Sequence, residues 1–113
     1  MHKDDERRLQ ENEVIFKQVN KDVEEFLHDI GVQNQVAVPF YCECSDLGCR
    51  MRLELTPAEY EKIHKNKRRF IVVNGHEVPQ IENVVERNEN YSVVEKLDKP
   101  PQPHEVQRRL KEL

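Results

Sequence analysis

Cys42, Cys44 and Cys49 fall within eight residues, in the run Cys-Glu-Cys-Ser-Asp-Leu-Gly-Cys, and Gly75-His76 follows twenty-seven positions after the last of them. Thiols at such short spacing, with one His arriving from a distant segment, suit a single tetrahedral ion that ties two parts of a small chain together. Residues i and i+2 of an extended segment project to the same side, so Cys42 and Cys44 face one point, while Gly48 lets the chain double back to deliver Cys49. The pattern predicts a structural zinc site made by Cys42, Cys44, Cys49 and His76.

The same thiols admit other chemistry. Cys42 and Cys44 also read as small buried hydrophobes on a strand, with His76 a satisfied polar residue beside a turn. A redox reading closes a strained Cys42–Cys44 disulfide and makes Cys49 the resolving thiol. Glu43 and Asp46 speak against it, because negative neighbours raise a thiol pKa. Of the remaining histidines, His2 and His104 belong to the ends and His28 to the solvent side of a helix. His64 is the rival for the fourth ligand place, since a short helix after the second knuckle strand brings it near. Glu77 beside His76 evokes a general base at a catalytic zinc, but four protein ligands leave no open coordination position, so no enzymatic activity is expected.

A chain of 113 residues fits one domain, and with 35% charged residues, 6% aromatics and no Trp its core material is scarce. For such a chain the affinity of an ion for the folded form becomes folding free energy. The net charge of -4 disfavours general binding to nucleic acid or anionic membranes, both of which select for Lys and Arg. The only basic cluster in the middle of the chain is Lys65-Asn66-Lys67-Arg68-Arg69, without interleaved aromatics to stack bases. No membrane span or secretory signal core is present, and an odd number of closely set cysteines matches no disulfide framework, so the expected location is cytoplasmic.

The apolar positions Leu9, Phe16, Val19, Val23, Phe26, Leu27 and Ile30 step by threes and fours and predict one amphipathic helix from about Lys3 to Ile30, closed by Gly31. Its stripe covers the domain's own core; the alternative is a homodimer seam. Val36 to Tyr41 and Arg50 to Leu55 read as two strands flanking the knuckle, with Pro39 at a sheet edge. Thr56-Pro57-Ala58-Glu59 carries an N-cap, a Pro at the first helical position and a capping-box Glu, which starts a short helix from Pro57 to Lys65 with Tyr60 and Ile63 inward. Arg69 to Val73 is a β-prone run ending at the turn dipeptide Asn74-Gly75. Ile81 to Glu86 and Tyr91 to Leu97 read as a β-hairpin. Lys99-Pro100-Pro101-Gln102-Pro103 reads as a stiff linker before a short terminal helix lined by Val106, Leu110 and Leu113.

The stretch from Phe40 to Lys96 resembles a group of small, functionally uncharacterised bacterial proteins. The matching residues are Phe40 to Cys49, Leu55-Thr56 with Glu59 to Glu61, Phe70 to Val73 with Gly75-His76-Glu77, Val84 to Glu86, and Tyr91 to Lys96; Phe16 to Asn20 is similar to that group's helix. The resemblance implies that the three cysteines and His76 act together as ligands. It also implies a lesser role for His64, whose position is Arg in that group, and it supplies no activity.

These readings combine into an α+β fold, a long N-terminal helix packed on a small, mostly antiparallel sheet with a zinc knuckle. Residues 1–98 form the zinc-stabilised domain and residues 99–113 the linker and C-terminal helix. The expected function is a non-enzymatic interaction module that binds a protein partner. The alternatives are a small nucleic-acid-binding regulatory factor using Lys65 to Arg69, and a thiol-based redox sensor.

Overall fold

The structure, a computed structural model, describes residues 3–46 and 48–97. The linker and terminal helix expected over residues 99–113 lie outside the described residues, as do His2 and His104. The chain runs α1 (Lys3–Asp29), β1 (Val38–Tyr41), β2 (Arg52–Leu55), α2 (Pro57–His64), β3 (Arg69–Val72), β4 (Glu82–Arg87) and β5 (Ser92–Lys96). The α+β architecture agrees with the sequence reading. The strands divide between a β1-β2 hairpin and a sheet of order β3-β5-β4, and all these pairings are antiparallel.

Local chemistry sets the element ends. Gly31, at φ +84°, stops α1: its amide donates to the His28 carbonyl at 3.1 Å and the Val32 amide to Leu27 at 2.9 Å, the paired bonds of a Schellman cap. At α2 the Glu59 amide donates to Thr56 Oγ1 at 3.1 Å and the Thr56 amide returns to Glu59 Oε1 at 3.4 Å, so the capping box forms as the sequence predicts.

The β3-β5-β4 sheet is covered on both faces. Phe70, Val72 and Val94 join Val14 and Ile15 of α1 and the three cysteines on one side. Ile71 and Val93 join Phe40, Leu53, Leu55, Tyr60 and Tyr91 on the other. Neighbouring residues of a strand point to opposite faces, so a doubly covered strand must be apolar throughout, which accounts for the unbroken run Phe70-Ile71-Val72.

The stripe expected on α1 is only partly the buried face. Phe16 is buried, Val19, Val23 and Leu27 are half-buried, but Phe26 is 61% exposed and Ile30 58%. Asn12, Glu13, Val14, Ile15, Phe16 and Lys17 are instead all buried in succession. Six successive residues exceed one helical turn of 3.6, so here α1 is enclosed on every side and polar residues share its interior. Val84 and Val85 are both exposed on β4, the outer strand of its sheet.

Two asparagines align α1 with the chain leaving β1. Asn20 donates to the Tyr41 carbonyl and accepts from its amide, both at 2.8 Å, and Asn12 donates to the Ser45 carbonyl at 2.5 Å. Eight helical residues rise about 12 Å and four extended residues about 13 Å, so the two spacings match and the segments run antiparallel.

Candidate metal centre

The segment after β1 carries Cys42 and Cys44 toward α1 and β3. The Cys42 amide donates to Met51 O at 2.9 Å, which extends the hairpin ladder, and the Glu43 amide donates to Ile71 O at 2.8 Å, which docks the segment on β3. The chain returns through Asp46, whose carboxylate accepts from the Gly48 amide at 2.8 Å and whose carbonyl accepts from Cys49 at 3.0 Å. This tight return delivers Cys49 to the other two sulfurs. After β3, the His76 amide donates to Val73 O at 2.8 Å across Asn74-Gly75, and only Gly75 takes a positive φ, +95°. One residue with φ > 0 at the third position is the pattern of a type II turn rather than of a two-residue hairpin loop, and it sends His76 back toward the knuckle instead of into the next strand.

The four expected residues therefore meet. One ligand atom from each of Cys42, Cys44, Cys49 and His76 lies within 4.8 Å of all the others. His76 Nδ1 is 3.6 Å from Cys42 Sγ and 3.8 Å from Cys49 Sγ. Bonds of about 2.3 Å to sulfur and about 2.0 Å to nitrogen at tetrahedral angles separate the two atoms by roughly 3.6 Å, so the arrangement is compatible with a bound metal ion. The Val73 amide donates to Cys42 Sγ at 3.2 Å, a contact that supports a thiolate. Without a cation the crowded sulfurs cannot all ionise readily. The hydrogen bond from Cys42 brings Cys44 down to about 5, whereas that same bond, together with burial, pushes Cys42 up, and burial raises Cys49. A divalent ion reverses that penalty, because its own charge is the largest in such a site.

His64 is elsewhere. Its Nε2 lies 2.8 Å from Glu43 Oε1 and its Nδ1 2.9 Å from the Tyr60 carbonyl, so both ring nitrogens face oxygen atoms. Its ring stacks on Tyr60 at 4.0 Å, and Tyr60 stacks on Phe40 at 4.4 Å. The sequence reading of Glu43 as an acid acting on the thiols is corrected by the same contacts. Glu43, fully buried between two cysteines, turns its carboxylate away from them and accepts from His64, the Ile71 amide, Tyr60 Oη at 2.7 Å and Asn20 at 3.0 Å. Burial alone would raise this carboxyl; the His64 charge and these donors outweigh it and hold it below the usual range. Sequence periodicity gave no signal for this network, because it scores apolar residues and is silent on polar ones that find partners. Glu77, adjacent to His76, is ion-paired with Arg87.

Comparison with protein-family models, with curated proteins and with solved structures finds no match. No bacterial group is therefore supported for this chain; what the structure bears out of the expected resemblance is the approach of Cys42, Cys44, Cys49 and His76. Among the described residues, no helix is long and apolar enough to cross a membrane.

Proposed function

We propose that Cys42, Cys44, Cys49 and His76 hold one structural zinc ion and that the protein is a non-enzymatic interaction module whose partner is a protein. The observation that carries the metal reading is the mutual approach of all four donors to within 4.8 Å. Three sulfurs and an imidazole are a donor set for zinc, and four protein ligands close the site to substrate. The ion would pin the β1-β2 hairpin to the turn after β3, since Cys42, Cys44 and Cys49 come from the former and His76 from the latter.

A protein partner is favoured over nucleic acid by what the basic cluster does. The Arg68 guanidinium donates to the Leu97 carbonyl, Arg69 pairs with Glu95 at 3.8 Å, and the Lys67 carbonyl is tied to Lys17 Nζ at 2.9 Å. Two of its cations thus make contacts within the fold.

Native mass spectrometry of protein never exposed to chelators tests the reading. One bound ion with the mass of zinc is expected, absent in Cys49→Ser. Metal-free protein whose cooperative melt is unaltered by added zinc would sink it. Capture of a protein partner from the native host should fail with the Cys49→Ser variant; capture that survives metal loss separates recognition from the ion.

A further inference from the structure

The last third of α1 presents apolar side chains that the fold leaves in solvent. Phe26 and Ile30, one turn apart, are 61% and 58% exposed. Asp22, four residues before Phe26, and Asp29, three residues after it, share their face, and the Asp22 carboxylate accepts from Gln18 Nε2 at 3.1 Å. Beside this face a cleft of about 420 Å³ opens between α1 and α2, with Leu27, Val32 and Pro57 as its apolar lining and Glu24, Glu25 and Glu61 among its acids. Between positions 22 and 30 stand Asp22, Glu24, Glu25 and Asp29 and no Lys or Arg. Glu24 is raised from its ordinary range, first by burial and next by the neighbouring Glu61, so like charges face each other across the cleft.

We infer that this face docks a basic, amphipathic helical segment of a partner protein, its apolar side chains against Phe26 and Ile30 and its cations against the acids of the cleft. This names the partner chemistry of the interaction module proposed above and rests on that reading. Charge decides the occupant. A second copy would set Asp22, Glu25 and Asp29 against the same residues in a two-fold interface, and with no cation in the segment either helix orientation brings acid to acid. A basic partner sets cations against Asp22, Glu25 and Asp29 instead. An amphipathic helix laid into an apolar groove is a recurring mode of recognition, read by anchors at helical spacing.

The probe is a fluorescent fourteen-residue peptide with Leu at helical i, i+3, i+4 and i+7 spacing and Lys elsewhere, titrated with full-length protein. Binding is expected at low salt and should weaken with added salt. The double variant Phe26→Ser, Ile30→Ser changes exposed residues and keeps the fold; its affinity is expected to fall at least tenfold. Asp22→Asn with Asp29→Asn should lower affinity several-fold and flatten the salt dependence. Equal binding by the serine variant, or equal binding of a peptide with Glu in place of every Lys, overturns the inference. So does a wild-type dimer in sedimentation that the serine variant abolishes, which would assign the face to a second copy. Protein that binds the peptide but carries no metal and melts unchanged when zinc is added overturns the metal reading alone, and zinc-loaded protein that does not bind the peptide overturns this inference alone.

Discussion

Lys17 places its ammonium at the junction of α1, the loop before β3 and the sheet, 2.9 Å from the Lys67 carbonyl and 4.4 Å from the centroid of the Phe70 ring. It is 9% exposed, and removal from water lowers it from 10.5 to about 8, with Glu43 opposing and Lys21 and Lys96 adding to the shift. The folded value lies below the unfolded one, so between about pH 8 and about pH 10.5 the unfolded chain binds more protons and stability rises with pH. Urea unfolding of wild type and Lys17→Met across that window is expected to show wild type gaining about 3 kcal/mol relative to the variant. Below pH 8 the difference should be flat. A difference that falls through the window would show that the buried ammonium is not penalised. Glu43 works in the opposite sense: it is a buried anion made acceptable by four donors, and it occupies the one position of Cys-x-Cys whose side chain leaves the metal side.

Between elements, the strongest polar tie is Lys96 of β5, fully buried, which donates to Glu13 of α1 and to Glu82 of β4. Glu82 also accepts from the Val78 amide at 2.9 Å, whereas the second oxygen of Glu13 has no hydrogen-bond partner among the described residues. Burial, opposed by Lys96 and reinforced by Glu82, pushes the Glu13 carboxyl well up. One ammonium thus serves two acids, and Glu13 is the one the site favours in its neutral form. Glu13→Gln, which mimics that form, is expected to change unfolding free energy by no more than about 1 kcal/mol at neutral pH. Lys96→Met leaves two carboxylates buried together and should cost about 3–5 kcal/mol. Denaturant melts of the two variants that ranked them the other way would contradict this account. The tie explains how a strand with a charged residue on its inner face still forms: Val93 and Val94 supply the apolar side chains, and Lys96 is paired with acids of α1 and β4.

Across the whole molecule, two core clusters meet at β3 and β5, one around the cysteines and one around Tyr60. The cysteine cluster contains few large side chains, Phe70 and Ile15 foremost, so an ion bound there would substitute for apolar volume that the chain lacks. A ligand present at a hundred times its dissociation constant contributes about 2.7 kcal/mol, and each kcal/mol moves the midpoint by about 4–8 °C in a domain of this size. Stripping metal with a chelator is therefore expected to lower Tm by more than about 10 °C. Hydrogen exchange should show protection lost first over residues 42–49 and 73–76, ahead of α2 and the β4-β5 hairpin. Uniform loss over the whole chain, or none, would show that the cysteine cluster is not the site of stabilisation.

What the sequence determined by itself was everything set by neighbours along the chain: the capping box at Thr56 and Glu59, the Gly31 stop, the strand runs, and three cysteines and a histidine at spacings that let them converge. Short-range hydrogen bonds and donor chemistry need no distant partner to be read. The tertiary structure alone decided that His64 pairs with Glu43 and not with the thiols, that Glu13, Lys17 and Lys96 go inside, and that Phe26 and Ile30 stay outside. Each of those outcomes depends on which groups long-range packing brings within reach. A polar side chain is buried where its partners already wait, and an apolar one is left in solvent where the fold has no surface to set against it.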